Sequence, residues 1–163
     1  MNRALLITLI TVGVLFLGGI IALTYIGSKT PETFIYKKDE IPAAYRAQMR
    51  ELNLISENEE LLYFYSDGLL DLTDGMYALT DQHLILYSIQ WSEPETIIAF
   101  EDISSLGINY DASFFVDSYV RVETVYGMEV EFPLSSERGR DKEFYELLSK
   151  RVEEASEMSS SLE

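Results

Sequence analysis

The sequence contains no cysteine and a single histidine, and its 12 Lys and Arg residues are outnumbered by 28 Asp and Glu residues. Without cysteine there is no disulfide framework, no Cys-ligated zinc and no thiol nucleophile. A lone histidine, His83, excludes multi-histidine metal sites, and any His-based triad would depend on it. The formal net charge of −16 argues against general nucleic-acid binding, because phosphate contacts need clustered Lys and Arg.

The composition is nevertheless that of a folded protein. Apolar residues make up 47% of the 163 residues, and the eight Phe and eleven Tyr argue against global disorder. A chain of this length can hold at most one compact domain and an appendage.

Residues 4–26 form an uncharged, apolar run. As a helix this run would reach about 35 Å, which is enough to cross a bilayer core of about 30 Å. A cleavable signal peptide is the alternative, but its apolar core would be shorter, and no Ala-x-Ala site follows Ile26. We therefore expect an uncleaved, single-pass anchor within residues 1–27 and a protein of the cell membrane.

The charges that flank this run predict its orientation. Only Arg3 precedes it, whereas Lys29, Lys37 and Lys38 follow it. Because the positive-inside rule counts Lys and Arg on each side of a span, the C-terminal domain is predicted to be cytoplasmic.

Residues 28–56 are interpreted as a linker followed by a short helix. Pro42 suits the first turn of that helix, where a missing N–H does no harm. The apolar residues Ile41, Tyr45, Met49 and Leu52 recur at helical spacing, which predicts that this face packs on the following domain. A helix lying on the membrane surface is the alternative.

Beyond residue 57 the pattern changes to short strands and ends in a helix. Seven strands are predicted, at residues 61–65, 76–79, 83–89, 96–100, 103–110, 119–125 and 128–132. In the last of them Met128, Val130 and Phe132 should point inward. Apolar residues at helical spacing then predict an amphipathic helix over residues 140–154, and residues 156–163 are expected to form a disordered tail.

This order of elements, and four of its segments, resemble bacterial PH-domain (pleckstrin-homology) and GRAM-like proteins. The segments are residues 79–87 (LTDQHLILY), residues 98–103 (IAFEDI), residues 122–132, and the helical Phe144-x-x-Leu147-Leu148 motif. The resemblance covers residues 57–155, and His83 stands where such sequences often carry Arg. It implies a mainly β fold, in which a barrel of seven antiparallel strands is capped by a C-terminal helix.

A PH-like fold implies phosphoinositide binding by Lys and Arg around the first two strands. The corresponding hairpin here contains Asp67, Asp71 and Asp74 and no basic residue, so an inositol phosphate would be repelled. The three Asp do not follow the order of a calcium-binding loop. Solvated turn residues are the simpler interpretation.

The remaining candidate residues are few. His83 is interpreted as a hydrogen-bonding residue beside a turn, and adjacent carboxylates such as Glu101-Asp102 are non-specific in so acidic a chain. Arg138, Arg140 and Lys142 are interpreted as a feature of a helix start. Trp91 is assigned to the core or the barrel rim. Phe114 and Phe115, between the fifth and sixth strands, are the candidate contact for a partner.

Taken together, these patterns predict a non-enzymatic, membrane-tethered PH-like module that binds another protein or organises a membrane complex. Recognition of a lipid headgroup at the membrane surface is the alternative. No motif supplies a nucleophile, a base and stabilising donors together, and neither a cofactor nor a metal site is predicted.

Overall fold

The computed structural model describes residues 11–21, 33–68, 71–110 and 117–161. The chain divides into two compact units, Met1–Thr30 and Pro31–Glu163. In the first unit residues 11–21 are helical, and large apolar side chains are exposed all around the helix axis. Of the helices within the described ranges, none is both long and apolar enough to cross a membrane. The predicted span 4–26 is described only over residues 11–21.

Within its described residues, the second unit contains two antiparallel sheets and two α-helices. The larger sheet has the order β1 (Tyr36–Lys37), β2 (Leu61–Ser66), β3 (Met76–Thr80), β4 (His83–Tyr87), β5 (Glu95–Ala99). The smaller sheet consists of β6 (Ile103–Asn109), β7 (Ser118–Thr124) and β8 (Glu129–Leu134). Helix α1 (Ala43–Glu51) lies between β1 and β2 in sequence, and helix α2 (Arg140–Ser160) follows β8.

The seven strands that the sequence predicts are β2 to β8, so the mainly β fold with a C-terminal helix is confirmed. The alternation of apolar and polar residues predicts β7 and its two faces correctly. Val120 and Val122 are buried, whereas Tyr119, Arg121 and Glu123 are exposed. In the last strand Phe132 points inward as expected. The prediction that Met128 points inward is wrong, because Met128 precedes β8 and its side chain is exposed.

The larger sheet is covered on both faces, which explains why its strands are almost continuously apolar. One face contributes Tyr65, Tyr77, Leu79 and Leu84 to a core shared with the smaller sheet and α2. The other face contributes a second set, Phe64, Met76, Ala78 and Ile85, to a core closed by α1. Two-sided burial removes the polar positions that a half-exposed strand would show.

Residues 33–56 belong to this unit and are more than a linker with a helix. Strand β1 pairs with β2 through Tyr36 and Phe64, and Ile35 is completely buried in the main core. The predicted apolar face of α1 packs on the sheet, with Ile41 and Met49 buried. Sequence pattern missed β1 because two residues are too few to show a period.

Helix α2 extends beyond the point at which the sequence predicts disorder. It continues to Ser160, whereas a tail was predicted from residue 156. The hydroxyls of Ser156, Ser159 and Ser160 donate to helix carbonyls three or four residues earlier, which satisfies these side chains within the helix. The apolar stripe on which the prediction rested ends at Ala155.

Candidate functional site

Those residues singled out from the sequence that the structure describes do not converge on one site. Phe114 and Phe115 lie outside the described residues. In the β2–β3 hairpin, Asp67 accepts a hydrogen bond from the Tyr77 hydroxyl at 3.1 Å, and Asp71 accepts one from the Thr73 N–H at 2.9 Å. Asp74 lies in a short 3-10 turn at Leu72–Asp74. Within the described ranges no cluster of His, Asp or Glu is arranged to hold a metal ion.

Two arginines at the start of α2, Arg138 and Arg140, hold the N-terminal part of the domain in place through direct contacts. The Arg140 side chain is largely buried and donates to the Ile35 carbonyl at 2.5 Å and to Glu40 at 2.8 Å. The Arg138 guanidinium lies 3.7 Å from the centre of the Phe34 ring. The Arg140 hydrogen bond, with that of the Lys37 N–H, holds the Glu40 pKa below its ordinary value. Through these contacts Arg138 and Arg140 have a structural role, in which they bind the N-terminal part of the domain rather than cap the helix.

His83 is oriented by a buried carboxylate. Its Nδ1 lies 3.0 Å from Oε1 of Glu59, which is only 7% exposed. Burial opposes ionisation of Glu59, but hydrogen bonds from His83, Thr80 and the Ser56 N–H outweigh it and lower the pKa of this carboxyl. Because an ionised carboxylate only accepts, we assign the proton to Nδ1, so Nε2 is the ring atom left for a ligand.

In the described part of the chain this Glu–His pair has no hydrogen-bonded nucleophile on its imidazole side. Within the described ranges the imidazole hydrogen-bonds only to Glu59. The Thr80 hydroxyl donates to Glu59 at 2.7 Å and accepts from the His83 backbone N–H at 2.8 Å, so it organises the turn. The predicted role of His83 as a hydrogen-bonding residue beside a turn agrees with this geometry.

A groove of about 480 Å³ lies beside His83. It is formed by three pieces of chain: the β3–β4 turn (residues 81–83), residues 99–101 at the end of β5, and the last turns of α2. Phe100, Ala155 and Met158 give it apolar walls, while Glu101 and Glu154 are exposed at its edge. We call it the turn–helix groove. It combines parts distant in sequence, so no local motif marks it.

A second group of titratable side chains lies where β2 and β3 meet the start of β7. The Tyr65 hydroxyl donates to Asp117 at 2.8 Å. Burial, with a smaller contribution from the nearby carboxylates of Asp67 and Asp141, raises the pKa of Asp117 despite this hydrogen bond. Burial also raises the pKa values of Tyr65 and Tyr77. Both phenols therefore remain neutral donors, and the group works as a structural hydrogen-bond network.

The architecture can now be compared with that of known proteins. One crystal structure, a DUF1696-family protein with a pleckstrin-homology domain from Shewanella loihica, aligns with a TM-score of 0.52. The alignment covers 74% of this chain and 99% of that one, at 13% identity. The chain has a bacterial pleckstrin-homology fold. A pleckstrin-homology domain from Shewanella amazonensis aligns at a TM-score of 0.47 and 16% identity, covering 68% of this chain and 96% of the other. No family model and no curated protein matches the chain.

The pleckstrin-homology fold confirms the antiparallel β-sheets and the C-terminal helix implied by the sequence resemblance; the described strands form two sheets, of five and three strands, and β1 adds to the seven strands predicted. Strands β2 and β3 correspond to the first two strands of the pleckstrin-homology fold. The sequence resemblance implied that the hairpin between these two strands would bind an anionic headgroup. That hairpin carries Asp67, Asp71 and Asp74 in this chain and neither Lys nor Arg. The fold is thus present without the basic residues on which headgroup binding there would depend.

Proposed function

We propose that this protein is a non-enzymatic, membrane-tethered pleckstrin-homology module that binds another protein. The observation that supports this most directly is the β2–β3 hairpin, where three carboxylates replace the cations that an anionic headgroup requires. The Glu59–His83 pair without a nucleophile argues against hydrolytic chemistry in the described part of the domain. Phe114 and Phe115 remain a proposed contact for the partner.

The tether is proposed from the character of the N-terminal run. Residues 4–26 are uncharged, and the described helical part, residues 11–21, exposes apolar side chains all around its axis. A helix that is apolar on every face needs an apolar environment, which a bilayer supplies. We propose that the domain lies on the cytoplasmic side because Lys29, Lys37 and Lys38 follow this run.

We expect the full chain to stay with membranes after washing with alkaline carbonate or high salt and to be released by detergent. Burial of a continuous apolar run in lipid is insensitive to ionic strength, whereas a peripheral protein is released by these washes. The measurement is immunoblotting of the pellet and the supernatant, combined with N-terminal sequencing of the mature protein. A mature chain that begins near Ser28 would instead show a cleaved signal peptide.

Soluble anionic headgroups are expected not to bind the full chain in zwitterionic micelles. The single tryptophan, Trp91, is a suitable reporter because its loop hydrogen-bonds to the hairpin, from the Ile89 N–H to the Thr73 carbonyl at 2.8 Å. Titration with inositol hexakisphosphate at about 0.15 M salt should leave Trp91 fluorescence unchanged, because the carboxylates of the hairpin repel the ligand. Saturable micromolar binding would favour the alternative function, a lipid-headgroup-binding module at the membrane surface.

A further inference from the structure

The turn–helix groove presents apolar surface that the domain itself does not cover. Met158, in the last turn of α2, is 67% exposed although it is a large apolar side chain. Ala155 and the buried Phe100 continue this surface into the groove. A flexible, polarisable methionine at a groove edge is suited to contact apolar side chains of varied shape.

The charges around this apolar surface are mostly negative. Asp81, Glu101 and Glu154 line the groove, and Arg151 is the only cation that lines it in the described part of the chain. Arg151 is also close to Glu154, at 3.5 Å. Glu101 and Glu154 are exposed, so an incoming cation can reach them without displacing buried groups.

The end of α2 adds to this negative potential. A helix carries partial negative charge at its C-terminus, and Lys or Arg side chains in the last turn normally offset it. The last turn of α2 contains no basic residue. A cation supplied from outside the chain would therefore be stabilised both by the carboxylates and by the helix end.

We infer that the turn–helix groove binds a basic segment of a partner protein, with one apolar side chain against Met158 and flanking Lys or Arg near Glu101 and Glu154. This inference rests on the proposed protein-binding function and specifies the partner's chemistry. A second copy of the chain is disfavoured as occupant, because the net charge of each copy is −16. An anionic headgroup is repelled for the same reason.

Methionine methyl NMR of the full chain in zwitterionic micelles tests this inference. The probe is a blocked peptide with one leucine between two pairs of arginines, and a second peptide carries glutamates in place of the arginines. Binding of the basic peptide should shift the Met158 methyl signal saturably, with a Kd of about 100 µM. The affinity should fall severalfold between about 0.05 and 0.5 M salt.

Three other methionines, at positions 49, 76 and 128, are internal controls. Met49 and Met76 are buried in the core under α1, and Met128 is exposed in the β7–β8 hairpin. None of their methyl signals should follow the Met158 titration. Equal shifts at Met128, or equal binding of the acidic peptide, would overturn the inference.

Two variants and a charge-matched control complete the test. Glu101→Lys removes an attractive charge and Met158→Ser removes the apolar contact, and each should weaken binding by about fivefold. Glu129→Lys makes the same change of charge at an exposed position of β8 and should change the affinity by less than about twofold.

The two proposals can fail separately. A Met158 shift with inositol hexakisphosphate, or one that depends only on protein concentration, would assign the groove to a headgroup or to a second copy. Both results overturn the inference, but only headgroup binding counts against the proposed function. If the basic peptide leaves Met158 unchanged, the groove assignment is wrong, while protein binding elsewhere stays proposed.

Discussion

Replacing Arg140 by alanine is expected to lower the free energy of unfolding by about 3 kcal/mol. The Arg140 guanidinium donates to the carbonyl of Ile35 and to Glu40, and Ile35 is completely buried. Truncation of Arg140 would leave the Ile35 carbonyl without this donor. It would also weaken the attachment of the segment that contains β1 to the rest of the domain. Denaturant unfolding of the full chain measures the loss. Hydrogen exchange should locate it, with the amides of residues 35–41 losing protection first.

Two further variants distinguish the loss of the Arg140 hydrogen bonds from a general effect of removing positive charge. Arg140→Lys keeps the charge but cannot bond the carbonyl and both Glu40 oxygens in the same geometry, so an intermediate loss is expected. Arg121→Ala removes an arginine whose pair with Glu131 is exposed, and should change stability by less than about 0.5 kcal/mol. A loss in Arg140→Ala no greater than that in Arg121→Ala would show that residues 33–41 are held by β1 and packing alone.

The parts of the fold that the sequence predicts are those with a local period. Strand β7 alternates buried and exposed residues, and α1 packs Met49 into a core that Ile41, just before the helix, also joins, so both elements are visible in a short window. The C-terminal helix was predicted for the same reason. Strands β2 to β5 of the larger sheet were predicted from their apolar, aromatic runs, but these runs did not reveal that a second core lies under α1.

The parts that could not be predicted depend on contacts between distant residues. Arg140 and Ile35 are 105 residues apart, and Glu59 and His83 are 24 apart, with no motif that joins either pair. Glu59 is one carboxylate among 28, so nothing in its neighbourhood marks it as buried. The turn–helix groove has the same origin, because three pieces of chain that are distant in sequence form it only in the folded domain.

Replacing Glu59 by alanine is expected to destabilise the domain by about 3 kcal/mol at neutral pH. Its carboxylate accepts hydrogen bonds from the Thr80 hydroxyl, the His83 ring and the Ser56 N–H. Thr80 is completely buried, so its hydroxyl would lose a partner that water cannot easily replace. The β3–β4 turn, which Thr80 also organises, should exchange its amide hydrogens faster. Thermal or denaturant unfolding of the full chain gives the magnitude.

The dependence on pH tests whether the ionised carboxylate provides this stability. Because hydrogen bonding lowers the folded-state pKa of Glu59, its contribution is complete above the unfolded pKa of about 4.3 and is lost as pH falls through the folded value. Glu59→Gln keeps the size and one acceptor oxygen but cannot ionise. Wild type should therefore be more stable than this variant by about 1–2 kcal/mol at pH 7, and the difference should shrink below about pH 4. A difference that stays constant from pH 7 to pH 3 would mean that hydrogen-bond geometry alone, without charge, holds His83 beside the groove.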